Sequence, residues 1–309
     1  MELRWLEDFI ALARTRHFSR AAEQQNVTQP TFSRRIKLLE EEMGTVLVNR
    51  QTLPLSLTPA GEEFLELCHD VTQRLADGRR RLAQLADQQA GRIRLAAPQS
   101  LLRDFLPGWL GRWVVPPPIV PDLRATGWLV DDFFRALARD ECDLVLCYWP
   151  VEPCGIEPDL QDTLSCRLAG EWLIPVSLVE ADGRPRFALE GASRLPLIAY
   201  HPRGLTAAAI QAHLARLGDT PDFSILNESI QSSNIRELVS LGYGLGWLPE
   251  AGVRGALASG ELVPAGGERW QVPVEIRLFR RADNQQPAVT ALWDALVTPS
   301  PTRLSGAPP

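Results

Sequence analysis

No run of apolar residues in this 309-residue chain reaches the roughly 18 that a membrane span requires, so no spanning helix is expected. The opening residues Met1 to Asp8 are too acidic and too poor in apolar residues for a signal peptide, and the chain is expected in the cytoplasm. Cysteine is scarce: Cys68, Cys142, Cys147, Cys154 and Cys166 are an odd number, with no CxxC pair. That argues against a disulfide framework and against a zinc site of four close ligands. Lysine is almost missing, since 32 basic residues include Lys37 alone; the bias is compositional. Methionine stops at Met43, which removes thioether chemistry from everything that follows. The four histidines, His17, His69, His201 and His213, are scattered, and none has a nucleophile or ligand partner nearby in sequence. No catalytic set emerges, so the chain does not read as an enzyme, and no cofactor or metal is called for.

What remains is ordinary for a globular protein. The chain is 45% apolar and 23% charged, long enough for about two domains of ~150 residues each. Charge is unevenly placed. Arg14, Arg16, Arg20, Arg34, Arg35 and Lys37 face only Glu23 between residues 14 and 37. That segment carries +5 and leaves −11 on the rest of a chain whose net charge is −6. A local polyanion site on an acidic body follows.

Leu3, Leu6, Phe9, Ile10 and Ala13 have helical spacing. Ser19 is expected to cap a short second helix, Arg20 to Gln25, whose Ala21-Ala22 pair permits close packing. Asn26-Val27 reads as a turn, Thr28 as the cap of a third helix with Pro30 in its first turn, and Gly44 as its stop. Phe32, Ile36 and Leu39 would be its inner face. Two helices across a tight turn, the second basic, describe a helix-turn-helix. Gln29, Thr31, Ser33 and Arg34 in the first turn can hydrogen-bond base edges. Arg35 and Lys37 suit phosphates, and so does Arg50 at the start of a two-stranded wing between Val46 and Leu57.

Phe18-Ser19, Ala21-Ala22, Val27-Thr28-Gln29-Pro30, Phe32-Ser33-Arg34, Leu39-Glu40, Gly44, Leu47, Arg50 and Leu57-Thr58-Pro59-Ala60-Gly61 resemble the signature of LysR-type transcriptional regulators. The match is dense over residues 5–65; Val48 stands where the family usually has Phe. The resemblance implies that Gln29, Pro30, Ser33 and Arg34 face the DNA groove. Arg4-Trp5-Leu6-Glu7-Asp8-Phe9, Asn49-Arg50-Gln51-Thr52-Leu53-Pro54-Leu55 and Gly244-Leu245-Gly246-Trp247-Leu248-Pro249-Glu250 look most like the hypochlorite-responsive branch. That branch is associated with methionine oxidation, a route that this sequence lacks beyond Met43.

After the Thr58 cap, Phe64, Cys68, Val71, Leu75, Gly78, Leu82 and Leu85 step by four and three, a heptad seam. A helix from Pro59 to Gln88 would be roughly 45 Å long and needs a partner along that stripe, either its own domain or a second chain. In the family such a helix pairs two subunits, so the resemblance implies a dimer, with dimers of dimers typical, on a two-fold operator in double-stranded DNA.

Beyond Gly91 strands alternate with helices: strands at 92–98, 122–128, 143–147, 171–179, 195–200, 223–227, 245–248 and 272–281, helices at 100–113, 130–140, 206–217, 234–241 and 287–297. The pattern predicts an α/β domain with a mainly parallel sheet. It resembles the family's two-lobed effector domain, which is similar to periplasmic binding proteins. The expected fold class is α/β, with an α-rich N-terminal winged helix-turn-helix, a long linker helix and this two-lobed body. Domains are expected at 1–58, 59–90 and 91–297, with the first lobe 92–162 plus 268–297 and the second 163–267. Residues 298–309 read as a disordered tail.

Ligands of open α/β sheets sit at strand carboxyl ends and helix N-termini. That marks Gln99, Ser100, Leu101, Trp128 and Trp149 from the first lobe and Arg203, Thr206, Asn227 and Ser232 from the second as effector candidates. Ser100 either helps hold an anion or only caps its helix; Trp128 and Trp149 are of a type more often core than pocket. Gly242-Tyr243-Gly244-Leu245-Gly246 follows a helix and precedes a strand, the reverse of a dinucleotide loop. The expected function is a sequence-specific DNA-binding transcriptional regulator controlled by a small-molecule or redox signal, with RNA polymerase as a further partner. The alternatives are an oxidant-responsive regulator working through cysteine, or a small-molecule-binding protein without DNA.

Overall fold

The computed structural model describes residues 2–52, 54–89, 91–218 and 220–297. The tail expected at 298–309 lies outside them. A first compact unit ends at Ala86 and a second begins at Asp87.

The first unit opens with α1 (Leu3–Thr15), α2 (Phe18–Gln24) and α3 (Gln29–Met43). Left-handed Arg16 and Asn26, at φ 49° and 54°, make the two tight turns between them. Such backbone is easiest for glycine, with asparagine among the better tolerated alternatives. Gly44 at φ 69° stops α3. Leu6, Phe9, Leu12, Ala21, Ala22, Phe32, Ile36 and Leu39 close one core. The wing is β1 (Val48–Asn49) against β2 (Ser56–Leu57), antiparallel, with Val48 opposite Leu57. Glu40 of α3 holds the wing: its Oε1 accepts the Leu47 and Val48 N–H groups at 3.0 and 3.1 Å. Helix α4 (Pro59–Gln89) follows. The Thr58 hydroxyl donates to the Val46 carbonyl at 2.7 Å and accepts the Gly61 N–H at 3.0 Å. A Cβ at Gly61 would stand 2.1 Å from the Leu47 carbonyl oxygen. The Thr-Pro-Ala-Gly run is thus a cap fitted against the wing, and no side chain fits at 61.

The second unit is built on β3 (Ile93–Ala96), α5 (Leu106–Leu110), β4 (Ile119–Pro121), α6 (Val130–Ala138), β5 (Leu144–Pro150) and β6 (Thr163–Leu178). It continues with β7 (Arg194–Tyr200), α7 (Leu205–Leu217), β8 (Asp222–Ser229), α8 (Ser232–Ser240) and β9 (Gly246–Pro249). It closes with α9 (Glu250–Ser259), β10 (Leu262–Pro264), β11 (Val272–Arg281) and α10 (Pro287–Val297). The large sheet runs β10-β6-β11-β5-β3-β4, with β9 also on β6, and β7 and β8 form a second, parallel pair. The β3–β4 and β3–β5 pairs are parallel. A buried fork joins β3 to the start of β5: Arg94 NH2 lies 2.6 Å from Asp143 Oδ1, and Nε lies 3.0 Å from Oδ2.

Four expectations need correcting. The sheet is mixed rather than mainly parallel: β6 and β11 run antiparallel along their length, from Val272 opposite Leu173 to Arg281 opposite Thr163. That pairing recruits residues 163–170, which lie before the strand expected to begin at 171. The strand expected at 122–128 lies earlier, at β4; Asp122 accepts the Arg124 N–H at 3.0 Å and starts a 3-10 turn, Leu123–Gly127, instead. The helix expected at 100–113 is one π-type turn, Leu101–Phe105, followed by α5, which ends at Gly111. Helix α9 and strand β10 were not expected, because Gly252 and Gly255 dilute the helical signal there.

Candidate functional site

Helix α3 has a dry face and a wet one. Phe32, Ile36 and Leu39 are fully buried, while Gln29, Pro30, Thr31, Arg34 and Lys37 are exposed, and Ser33 is half-buried. The buried face fixes which way the first turn points, as a period of 3.6 residues requires. Ser19 is exposed but lies inside α2, whose cap position is His17, so it does not cap as expected. Thr28 holds the N-cap position of α3 as expected, but its side chain makes no capping bond; its hydroxyl meets the Thr31 hydroxyl at 2.9 Å. Lys37 lies 3.6 Å from Glu41, one turn on.

Two expected phosphate contacts are otherwise engaged. Arg35 NH1 pairs with Asp8 Oδ2 at 3.2 Å, and Asp8 is fully buried on α1. Burial pushes the Asp8 carboxyl above its usual range, with the Arg35 hydrogen bond and charge opposing. Arg35 therefore ties α3 to α1. Arg50 NH2 pairs with Glu40 Oε2 at 2.8 Å, and the guanidinium lies over the Phe18 ring. Sequence spacing shows a cation but not the carboxylate that the fold brings to it.

The heptad seam divides in the same way. Phe64 and Cys68 are buried in the first unit's core, with Val71 packed against it. They serve their own domain. Exposed apolar side chains instead run through Leu67, Leu75 and Leu82, at 50%, 38% and 69% exposure. The side chain of Leu85 lies outside the described residues.

The second unit holds a cleft of about 80 Å³ where β3, β5, β7 and the starts of α6, α7 and α8 converge. A single water needs roughly 10–15 Å³, so several waters or one small molecule fit. Gln99, Ser100, Trp128, Thr206 and Ser232 line it as expected. Missed residues are Thr126, Leu129, Phe133, Cys147, Tyr200, His201, Leu205, Ile230 and Gln231. Most lie within two positions of an expected one, so the strand-end rule found the loops but not their full depth.

Four expected residues lie elsewhere. Leu101 is only 1% exposed and packs in the main core. Strand alternation turns Trp149 away from Tyr148 and onto Phe134 and Phe279, with the Trp149 and Phe279 ring centroids 5.0 Å apart. Arg203 is exposed and lies 3.8 Å from Asp131. Asn227 is exposed on β8, where the register passes from Ile225 to Asn227 across a bulge.

Two serine–tyrosine pairs stand in the cleft. Ser100 and Tyr148 line one side of it and Ser232 and Tyr200 the other; burial raises both phenols well above their usual titration range. The Ser229 hydroxyl accepts the Gln231 N–H at 3.1 Å, which shapes the loop carrying Ser232. Asp132 Oδ2 accepts the Leu129 N–H at 3.0 Å and anchors the start of α6. The Ser233 hydroxyl donates to Gln99 Oε1 at 3.0 Å, joining the loop after β3 to α8. Burial lowers the reactivity of three cysteines: it pushes Cys68 and Cys147 up to about 12 and Cys166 up to about 11. Among the described residues no helix is long and apolar enough to cross a membrane, and no group of three His, Cys, Asp or Glu could hold a metal ion.

Residues 3–62 match the family of bacterial regulatory helix-turn-helix proteins, lysR family, and residues 86–298 match the LysR substrate binding domain. The transcriptional regulator YjiE of Escherichia coli K12 is 28% identical over 296 residues, 96% of this chain and 94% of that protein. The full-length structure of HypT from Salmonella typhimurium, a hypochlorite-specific LysR-type regulator, covers 96% of this chain and 97% of its own at 28% identity and TM-score 0.60. Vibrio fischeri DarR, solved in complex with DNA, covers 96% of this chain and 98% of its own at 26% identity and TM-score 0.59.

Proposed function

The chain belongs to the LysR family of transcriptional regulators, and from that membership we propose how its parts divide the work. A DNA-binding domain and an effector-binding domain share the chain. Gln29, Pro30, Thr31, Ser33 and Arg34 read an operator in the major groove, and Arg34 takes the most specific contact, because a guanidinium can bond guanine in a bidentate way. Ser19, Thr28 and Lys37 contact the backbone, which positions the domain without reading sequence. Arg35 and Arg50 hold α3 and the wing in place. Leu67, Leu75 and Leu82 meet the same stripe on a second copy, which presents two reading helices to a two-fold site; two dimers then assemble. The protein works in the cytoplasm, performs no catalysis and passes its signal to RNA polymerase. The observation carrying this reading is the exposed polar first turn of α3, set by a fully buried opposite face.

The signal is a small molecule held in the cleft between lobes 92–162 plus 268–297 and 163–267. It acts through differential affinity for two states of the domain. Likeness to HypT supports a place near the hypochlorite-specific branch. Oxidant sensing fits the residues less well: the second unit has no methionine, and burial holds Cys147 and Cys166 protonated at neutral pH.

The test is a footprint on DNA upstream of the protein's own gene, with wild type and Arg34→Ala at a fixed salt concentration. Two protected, two-fold-related half-sites that weaken by about 1–3 kcal/mol in the variant are expected. Equal protection by both proteins would remove Arg34 from the reading surface.

A further inference from the structure

We infer that the cleft of the second unit is built for an uncharged, small aromatic or alicyclic molecule carrying a hydroxyl or amide group, and that it rejects carboxylates and amines. The inference rests on reading the cleft as the effector site and names the chemistry of what enters it.

Among the described residues, no arginine, lysine, aspartate or glutamate lines the cleft. Arg203, beside the lining residues His201 and Gly204 in sequence, lies 3.8 Å from Asp131, so this cation faces an anion of its own. His201 lines the cleft, but its Nδ1 accepts the Arg203 backbone N–H at 3.3 Å. Burial keeps the Tyr148, Tyr200 and Cys147 protons on their atoms at neutral pH.

A charged ligand would leave water and find no opposite charge, a desolvation loss that hydroxyl groups only partly offset. A neutral ligand meets the opposite balance. Trp128, Phe133 and Leu129 supply apolar and aromatic faces, and the Trp128 and Phe133 rings pack edge to face at 5.6 Å. The Ser100, Ser232, Tyr148 and Tyr200 hydroxyls each carry a donor and acceptor lone pairs. The cleft therefore offers both donors and acceptors, which suits a group that can donate and accept, such as an alcohol or a primary amide. It is also where a bound water would be replaced with its hydrogen bonds intact.

The experiment uses the full chain at pH 7.5 and four probes on one ring: benzyl alcohol, benzamide, benzoate and benzylamine. Binding is followed by tryptophan fluorescence and by the thermal unfolding midpoint. Benzamide or benzyl alcohol is expected to saturate at concentrations at least tenfold below those needed for benzoate or benzylamine. Tyr200→Phe and Ser232→Ala, each checked for an unchanged ligand-free midpoint, should weaken the neutral probe several-fold. Benzoate or benzylamine binding as tightly as the neutral probes overturns the inference, and so does saturation by none of the four. A parallel footprint separates this from the function reading. A neutral probe that binds without altering the footprint supports the ligand class and counts against the effector role. Preferential binding of benzoate with an altered footprint does the reverse.

Discussion

The Ser233 hydroxyl donates to Gln99 Oε1 at 3.0 Å across 134 residues of sequence. It links the first turn of α8 to the loop after β3, on opposite walls of the cleft. The bond is exposed, so its net worth to folding is under about 1 kcal/mol. Ser233→Ala should leave the thermal midpoint nearly unchanged while a bound probe dissociates several-fold faster in stopped-flow fluorescence. A large drop in midpoint with an unchanged off-rate would make the contact structural only.

Asp8 and Arg35 make a pH-dependent tie between α1 and α3. Burial raises the Asp8 carboxyl above its usual value, so in that interval the folded state binds more protons than the unfolded one. Stability of the first unit therefore falls as pH rises from the ordinary carboxylate range through the raised value, then levels off. Urea unfolding across pH 3.5–7 (about that span) should show this slope, and Asp8→Asn should flatten it. Arg35→Ala strands a buried carboxylate and should cost about 3 kcal/mol near neutrality. DNA affinity changed without any loss of stability would instead make Arg35 a phosphate contact.

The long helix separates folding from association. Phe64 is 6% exposed and packs edge to face on Phe9 at 5.2 Å; Phe64→Ala should destabilise the first unit by about 3–5 kcal/mol. Leu82 is 69% exposed, so Leu82→Glu should leave the thermal midpoint of dilute protein alone and shift sedimentation equilibrium towards monomer. A Leu82→Glu protein that stays dimeric would move the interface off this stripe.

Cys147 lines the cleft, yet burial lifts its thiol to about 12. The thiolate is the reactive form, and at pH 7.5 it is a trace species. Iodoacetamide should leave Cys147 unmodified in the folded chain under conditions that alkylate it in urea, as read by peptide mass spectrometry. Rapid labelling of the folded protein would restore a cysteine-based oxidant response.

Much of the molecule follows from local rules. The left-handed Asn26, the Gly44 stop, the Ala21-Ala22 contact and the Thr58-Pro59 start each depend on a few neighbouring residues, so their residue types announce them. Helix α3 could be split into an inner and an outer face for the same reason: its period is a property of the segment alone. The loops of the cleft were also legible, because strand ends and helix starts are local features.

Partnership was not legible, because it joins residues far apart in the chain. Spacing showed Arg35 and Arg50 as cations; only the fold brought Asp8 and Glu40 to them. Spacing showed a seam from Phe64 to Leu82; only packing assigned Phe64 and Cys68 to the domain core and left Leu75 and Leu82 open. In the second unit the antiparallel union of β6 and β11 extended the strand back to Thr163. The turn of Trp149 onto Phe279, and of Tyr148 and Tyr200 into one cleft, depended on which faces of the sheets were covered. The sequence by itself determined most of the elements, the two faces of α3 and most of the loops that line the cleft. Burial and long-range pairing, which exist only once the chain has closed on itself, decided which of the charges are paired, which apolar stripe lies exposed on the long helix, and that among the described residues no charged side chain lines the cleft.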